Sequence, residues 1–167
     1  MTRAVGVALA IAVLVAGPAR AGRLRVGDRL PAFALRDWQG RPLAASSLRG
    51  RVVCLDFWAT WCPTCTTALP ALDAVARRHP EATVLAVGVD DRLADGDRFV
   101  ATRLPAPALT LARDPGGDLL ARLGADGMPA LWVVDRDGIV RLAVAAYTPE
   151  RLEEVERLLA ELARAAP

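Results

Sequence analysis

The chain has no lysine and no asparagine, a single histidine, a single tyrosine, two methionines and three cysteines. All 21 basic residues are therefore arginine, and they are spread along the chain rather than clustered. A nucleic-acid partner, which wants a basic patch or stripe, is not expected. One histidine and two methionines make no His- or Met-rich patch of the kind that would hold a soft metal ion alongside thiolates. The absence of lysine and asparagine carries no functional reading. There are no internal repeats and no low-complexity linkers, and beyond the first 17 residues no run is long and apolar enough to span a bilayer.

What is present begins with a targeting pattern. Met1-Thr2-Arg3 is a short basic region, Ala4 to Gly17 is apolar, and Ala19-Arg20-Ala21 is a small-residue cleavage pattern. The expectation is a signal peptide over residues 1–21, a mature chain from Gly22, and export to the periplasm. An uncleaved anchor facing the periplasm is the alternative, although the apolar run is shorter than the ~20 residues of a spanning helix. No cysteine lies near the cleavage site, so a lipoprotein is not expected. Arg3 and Arg20 fall in the leader, which leaves 19 basic residues against 19 acidic ones. The formal charge of +2 thus belongs to the leader, and the remainder is neutral. Residues 22–167 are expected to form one domain, long enough to bury a core.

The centre of the chain is Asp56-Phe57-Trp58-Ala59-Thr60-Trp61-Cys62-Pro63-Thr64-Cys65. Val52 to Trp58 reads as a buried central strand, continuous and apolar, with β-branched residues and Asp56 as its one charged member. A helix is expected from about Cys62 to Arg78. Pro63 suits its first turn, and Leu69, Leu72, Val75 and Ala76 form a core-facing stripe. Pro70 lies inside it, and His79-Pro80 ends it. Two thiols separated by two residues, where a strand gives way to a helix, have the spacing of a redox dithiol. A zinc site also uses that spacing but needs two further ligands. Only Cys54, inside the strand, and His79, beyond the helix, are candidates. Cys54 is more simply a small buried hydrophobe, and His79 a solvated residue at a helix C-terminus.

Around this core the patterns alternate. Phe33 to Leu35 reads as a short strand, Gln39-Gly40 as a turn, and Ser46 or Ser47 as the start of another. Thr83 to Val89 is a strand, residues 92–104 a weak helix, and Ala108 to Leu111 a short strand after Pro105 and Pro107. Asp118 to Leu123 is a short helix closed by Gly124. Leu131–Val134 and Ile139–Val144 form a hairpin through Arg136-Asp137-Gly138. Thr148-Pro149 starts a last amphipathic helix. The sum is an α/β domain.

Residues 56–65 resemble the active-site stretch of thioredoxin-fold proteins. Val26-Gly27-Asp28, Pro31 to Leu35, Gly40 to Gly50, and Gly127-Met128-Pro129-Ala130 with the hairpin after it resemble the TlpA/ResA-like branch. The likeness covers about residues 26–165. It implies a thioredoxin fold with an N-terminal extension and an insertion around residues 90–110. It also implies an enzyme, a thiol–disulfide oxidoreductase with a Cys62–Cys65 disulfide and no metal or further cofactor.

Cys62, at a helix N-terminus that favours a thiolate, is expected to attack substrate disulfides, and Cys65 to resolve the mixed disulfide. Asp56 matches the buried acid behind the dithiol and is read as the proton acceptor for Cys65, with a structural aspartate as the alternative. Pro129 matches the cis-proline facing the dithiol, which leaves the Met128 backbone edge for an extended substrate. Trp61, Pro63, Thr64 and Met128 are the expected substrate-binding residues, whereas Trp58 and Trp132 belong to the core. The expected partners are disulfide-containing proteins and a membrane thiol reductant, with cytochrome c or copper-site maturation as candidate settings and the protein acting as a monomer.

The chain departs from the branch at two positions. Ala68 stands where many members have a glutamate three residues after the second cysteine. Ala130 stands where cytochrome c maturation members tend to have an acid. A thiol peroxidase and a copper metallochaperone are the competing functions. A peroxidase would want a threonine three residues before the reactive cysteine, where this chain has Ala59.

Overall fold

The computed structural model of the chain describes residues 22–165, so the expected leader lies outside the described residues. In chain order the elements are β1 (Ala34–Asp37), β2 (Pro42–Ala44), β3 (Val53–Trp58), α1 (Pro63–Arg78), β4 (Thr83–Gly88) and α2 (Leu93–Arg103). They continue with β5 (Thr110–Arg113), α3 (Asp118–Arg122), β6 (Ala130–Val134), β7 (Val140–Val144) and α4 (Pro149–Arg164). A single sheet runs in the order β2-β1-β5-β4-β3-β6-β7. Its centre, β5-β4-β3, is parallel. β6 and β7 on one side and β1 and β2 on the other are antiparallel.

The burial follows from this order. Central parallel strands are covered on both faces and read as continuous apolar runs, and every residue of β3 and β4 is buried. The edge-side β7 alternates instead. Side chains along a strand point to opposite faces in turn. Cys54 and Trp58 therefore pack with α1, α2 and α4 through Leu69, Leu72, Val100, Val155 and Leu159. Val53, Leu55 and Phe57 pack with the lead-in and α3 through Phe33, Leu48, Leu119 and Leu123. Each fully buried leucine contributes about 1.5–3 kcal/mol by leaving water. Asp56, between Cys54 and Trp58, belongs to the face beneath α1 and α4.

Two elements depart most from expectation. β2 is a three-residue edge strand where only turns were expected. Its Pro42 is tolerated because a first position at a sheet edge need not donate. β5 begins two residues late, at Thr110 rather than Ala108. The cause is Asp73 of α1, whose carboxylate accepts the backbone N–H groups of Ala108 (2.6 Å) and Leu109 (3.2 Å) and also binds Arg77 (2.8 Å). Those two donors are withdrawn from the strand ladder.

The expected insertion is α2 with the loop that follows it. An aromatic column fixes it: Trp38 stacks on Trp58 at 6.0 Å, and Trp58 meets Phe99 of α2 at 5.3 Å. Gly124, at φ +68°, ends α3. A side chain there would be strained and would also approach the Arg23 backbone to 2.6 Å.

Candidate active site

Three local features deliver the dithiol to the surface. β3 ends at Trp58, and the loop Ala59-Thr60-Trp61 follows. Thr60 is pinned there by Asp90, which accepts its backbone N–H at 3.0 Å and its hydroxyl at 2.7 Å. Cys62 is the N-cap of α1, with Pro63 in the first turn as expected. The two sulfurs are joined, with the Cα atoms 5.3 Å apart. The site thus stands at the carboxyl end of β3, where the chain leaves for β4 on one side while β6 pairs on the other. That reversal of strand order is where open α/β sheets place their sites.

Cys62 is 5% exposed and Cys65 1%, so Cys62 is nearer the solvent. The Cys62 sulfur accepts the Cys65 backbone N–H at 3.3 Å, and the Thr64 hydroxyl lies 3.4 Å from it. The first turn of α1 carries no acidic residue. A thiolate at Cys62 would face unopposed helix N–H groups, the arrangement that favours the anion. Trp61 is 67% exposed beside it.

The Met128–Pro129 peptide is cis, and Met128 packs against both faces of the core. The register Phe57↔Ala130 sets Pro129 opposite the end of β3, next to the dithiol loop. Pro63 and Thr64 border an open concavity of about 470 Å³ between α1 and the start of α4.

Asp56 is 1% exposed. Burial holds its carboxyl well above the usual carboxylate range, against a smaller opposing pull from the Phe57 backbone. The Tyr147 hydroxyl donates to Asp56 Oδ1. Sequence patterns did not single out Tyr147. It lies 91 residues from Asp56 in a loop without a motif, and its one mark is being the only tyrosine.

Cys54 is the free, fully buried cysteine that its strand position suggested. Burial, and secondarily the nearby Asp56 charge, push its thiol pKa well above the ordinary value. Trp58 and Trp132 are in the core. His79 corrects the expectation of a solvated residue. Its side chain is 15% exposed and lies between Glu81 (3.0 Å) and Glu156 (3.2 Å). It stands at the far end of α1 from Cys62, roughly 26 Å away at 1.5 Å per residue, so the two cannot share a metal ion. No group of three or more His, Cys, Asp or Glu side chains gathers to hold a metal ion among the described residues.

A dithiol capping the first helix, a cis-proline at the adjacent strand and this mixed sheet define a thioredoxin-fold thiol–disulfide oxidoreductase. The chain belongs to the AhpC/TSA family, whose pattern matches residues 26–143, and falls with its TlpA/ResA-like thioredoxin-fold members. It is 26% identical over 136 residues to the thiol-disulfide oxidoreductase ResA of Bacillus thuringiensis subsp. konkukian, covering 79% of this chain and 77% of that protein. It is 27% identical over 129 residues to the thiol:disulfide interchange protein DsbE of Pseudomonas aeruginosa, covering 76% and 70%. A crystal structure of a Chlorobium tepidum protein assigned as a DsbE superposes with a TM-score of 0.78 at 32% identity, covering 84% of this chain and 99% of that one.

Proposed function

We propose that the protein is an exported enzyme that reduces disulfides in periplasmic protein partners. Cys62 is the attacking thiolate, Cys65 the resolving thiol and Asp56 the proton acceptor. The observation that carries this reading is the position of Cys62. It caps α1, accepts a helix N–H on its sulfur, has no acidic residue in the first turn of that helix, and stands beside an exposed Trp61. In each turnover the Cys62 thiolate attacks a substrate sulfur and the substrate's other sulfur leaves as a thiolate. Cys65 then attacks Cys62, the substrate departs reduced, and Cys62–Cys65 is left oxidised. Trp61, Pro63 and Thr64 form the contact surface, and the Met128 edge pairs with an extended substrate segment. Pro129 holds that edge opposite the dithiol.

A membrane thiol reductant would regenerate the dithiol, and maturation of cytochrome c or of a copper site is the setting in which such a reductase would be needed. The targeting pattern read in the sequence of residues 1–21 supports export. No helix among the described residues is long and apolar enough to cross a membrane.

The test is the reduction potential of Cys62–Cys65, measured by equilibration with glutathione buffers. A value near about −270 mV makes the protein an electron donor that needs a dedicated source. A value near about −120 mV makes it an oxidant and overturns the direction of the proposal.

The family assignment keeps a thiol peroxidase as the second reading. Position 59, three residues before Cys62, is a fully buried alanine with no hydroxyl to offer. Peroxide consumption by the reduced protein faster than its reduction of insulin disulfides would favour that reading.

A further inference from the structure

Asp56 is enclosed on every side but one. Around it stand Cys54 on its own strand, Ala86 and Leu131 on the paired strands β4 and β6, and the apolar faces of α1 and α4. Those helices present Leu69, Leu72, Leu152, Val155 and Leu159 to this core, and Cys65 of α1 belongs to the same cluster. The remaining side is Tyr147, in the loop between β7 and α4. Its hydroxyl donates to Asp56 Oδ1, and the half-buried ring packs on this core.

The same side chain lines the concavity of about 470 Å³ with Thr64, Thr67, Ala68, Thr148 and Leu152. Tyr147 is the one titratable side chain in that lining. A water in liquid occupies about 30 Å³, so the hollow is roomy enough for water to reach this side chain. The side chain that holds buried Asp56 thus also borders a hollow open to solvent.

We propose that Tyr147 is the outlet through which the proton taken from Cys65 leaves Asp56 for solvent, and that it positions Asp56 for that exchange. The inference rests on the thiol–disulfide reading above. During resolution the Cys65 thiol gives its proton to the Asp56 carboxylate. The Cys65 electron pair forms the bond to Cys62 Sγ, and the bond from Cys62 to the substrate sulfur breaks, its pair leaving with the substrate thiolate. Asp56 then passes the proton to the Tyr147 oxygen while the phenol's own hydrogen passes to water in the hollow. One proton moves from Cys65 to solvent, and both residues return to their starting state. A phenol is able to do this because its oxygen accepts and donates at once.

The test uses 5,5′-dithiobis(2-nitrobenzoate) on the reduced protein, followed by stopped-flow absorbance. The first thionitrobenzoate released reports attack by Cys62, and the second reports resolution by Cys65. For Tyr147→Phe the expected result is an unchanged first release and a second release slowed about tenfold near neutral pH. The pH midpoint of the second release should also rise, since the carboxylate has lost a donor that favours its charged form. In Asp56→Asn the further change Tyr147→Phe should have no added effect. A second release with the same rate and midpoint as wild type overturns the proposal. Failure of wild type to show any second release overturns the dithiol reading instead.

Should Tyr147→Phe not fold, the only tyrosine of the chain supplies an independent measurement. With 3-fluorotyrosine incorporated, its fluorine resonance should titrate at the midpoint of the second release in the wild-type chain and be flat over that range in Asp56→Asn. A flat titration in both overturns the proposal.

Discussion

Asp90 holds Thr60 by two bonds at once, taking both its backbone N–H and its hydroxyl across 30 residues of chain. Asp90 follows β4 and Thr60 follows β3, so the contact fixes the loop that presents Cys62 to the neighbouring strand's end. Asp90 is 7% exposed. Asp90→Ala leaves two Thr60 donors without their partner and should cost about 1–3 kcal/mol for the unsatisfied groups. Urea unfolding of the oxidised protein checks this, and a midpoint equal to wild type would show that Thr60 finds other partners.

Asp56 makes stability depend on pH. Its folded pKa is raised, so its contribution is fully present below the unfolded value near 3.9 and is lost as pH rises through the folded value. Asn does not titrate. Asp56→Asn should therefore be more stable than wild type at neutral and alkaline pH, with the difference closing as pH falls toward about 4. Denaturation midpoints of both proteins across that range decide it, and a gap independent of pH would contradict the reading of Asp56 as a buried, poorly solvated acid.

The three cysteines should separate by reactivity. Reaction follows the thiolate and its accessibility. Cys54 is fully buried with its ionisation opposed, whereas Cys62 sits at the edge of solvent at a helix N-terminus. In the reduced native protein iodoacetamide should label Cys62 at least about a hundredfold faster than Cys54. Peptide mass spectrometry over time reads the ratio, and comparable rates would mean that the strand opens.

Trp61 is expected to matter for substrate and not for folding. With two thirds of its surface exposed, Trp61→Ala should change stability by no more than about 0.5 kcal/mol. The KM for a protein disulfide should rise severalfold while the rate with glutathione disulfide stays near wild type. Equal loss on both substrates would place Trp61 in the support of the dithiol itself.

Much of this was readable along the chain. Continuous apolar runs located β3 and β4, and the helical period of apolar residues located α1 and α4, because each is patterned by its own neighbours. Pro63 and Thr148-Pro149 marked helix starts, since capping is settled within one turn, and the Thr148 hydroxyl does accept the Arg151 N–H at 3.3 Å. The edge strand β2 was hidden because three residues make no period. The start of β5 was displaced by a carboxylate 35 residues away in sequence.

The sequence by itself determined the dithiol, its place at a helix N-terminus and the alternation that builds the sheet. These depend on contacts between residues a few positions apart. Only the tertiary structure decided that Asp90 grips Thr60, that His79 lies between two glutamates, and that Tyr147 reaches Asp56. Each of those joins side chains that meet solely because the sheet brings distant strand ends and helix ends together, and no local pattern records which pairs will meet.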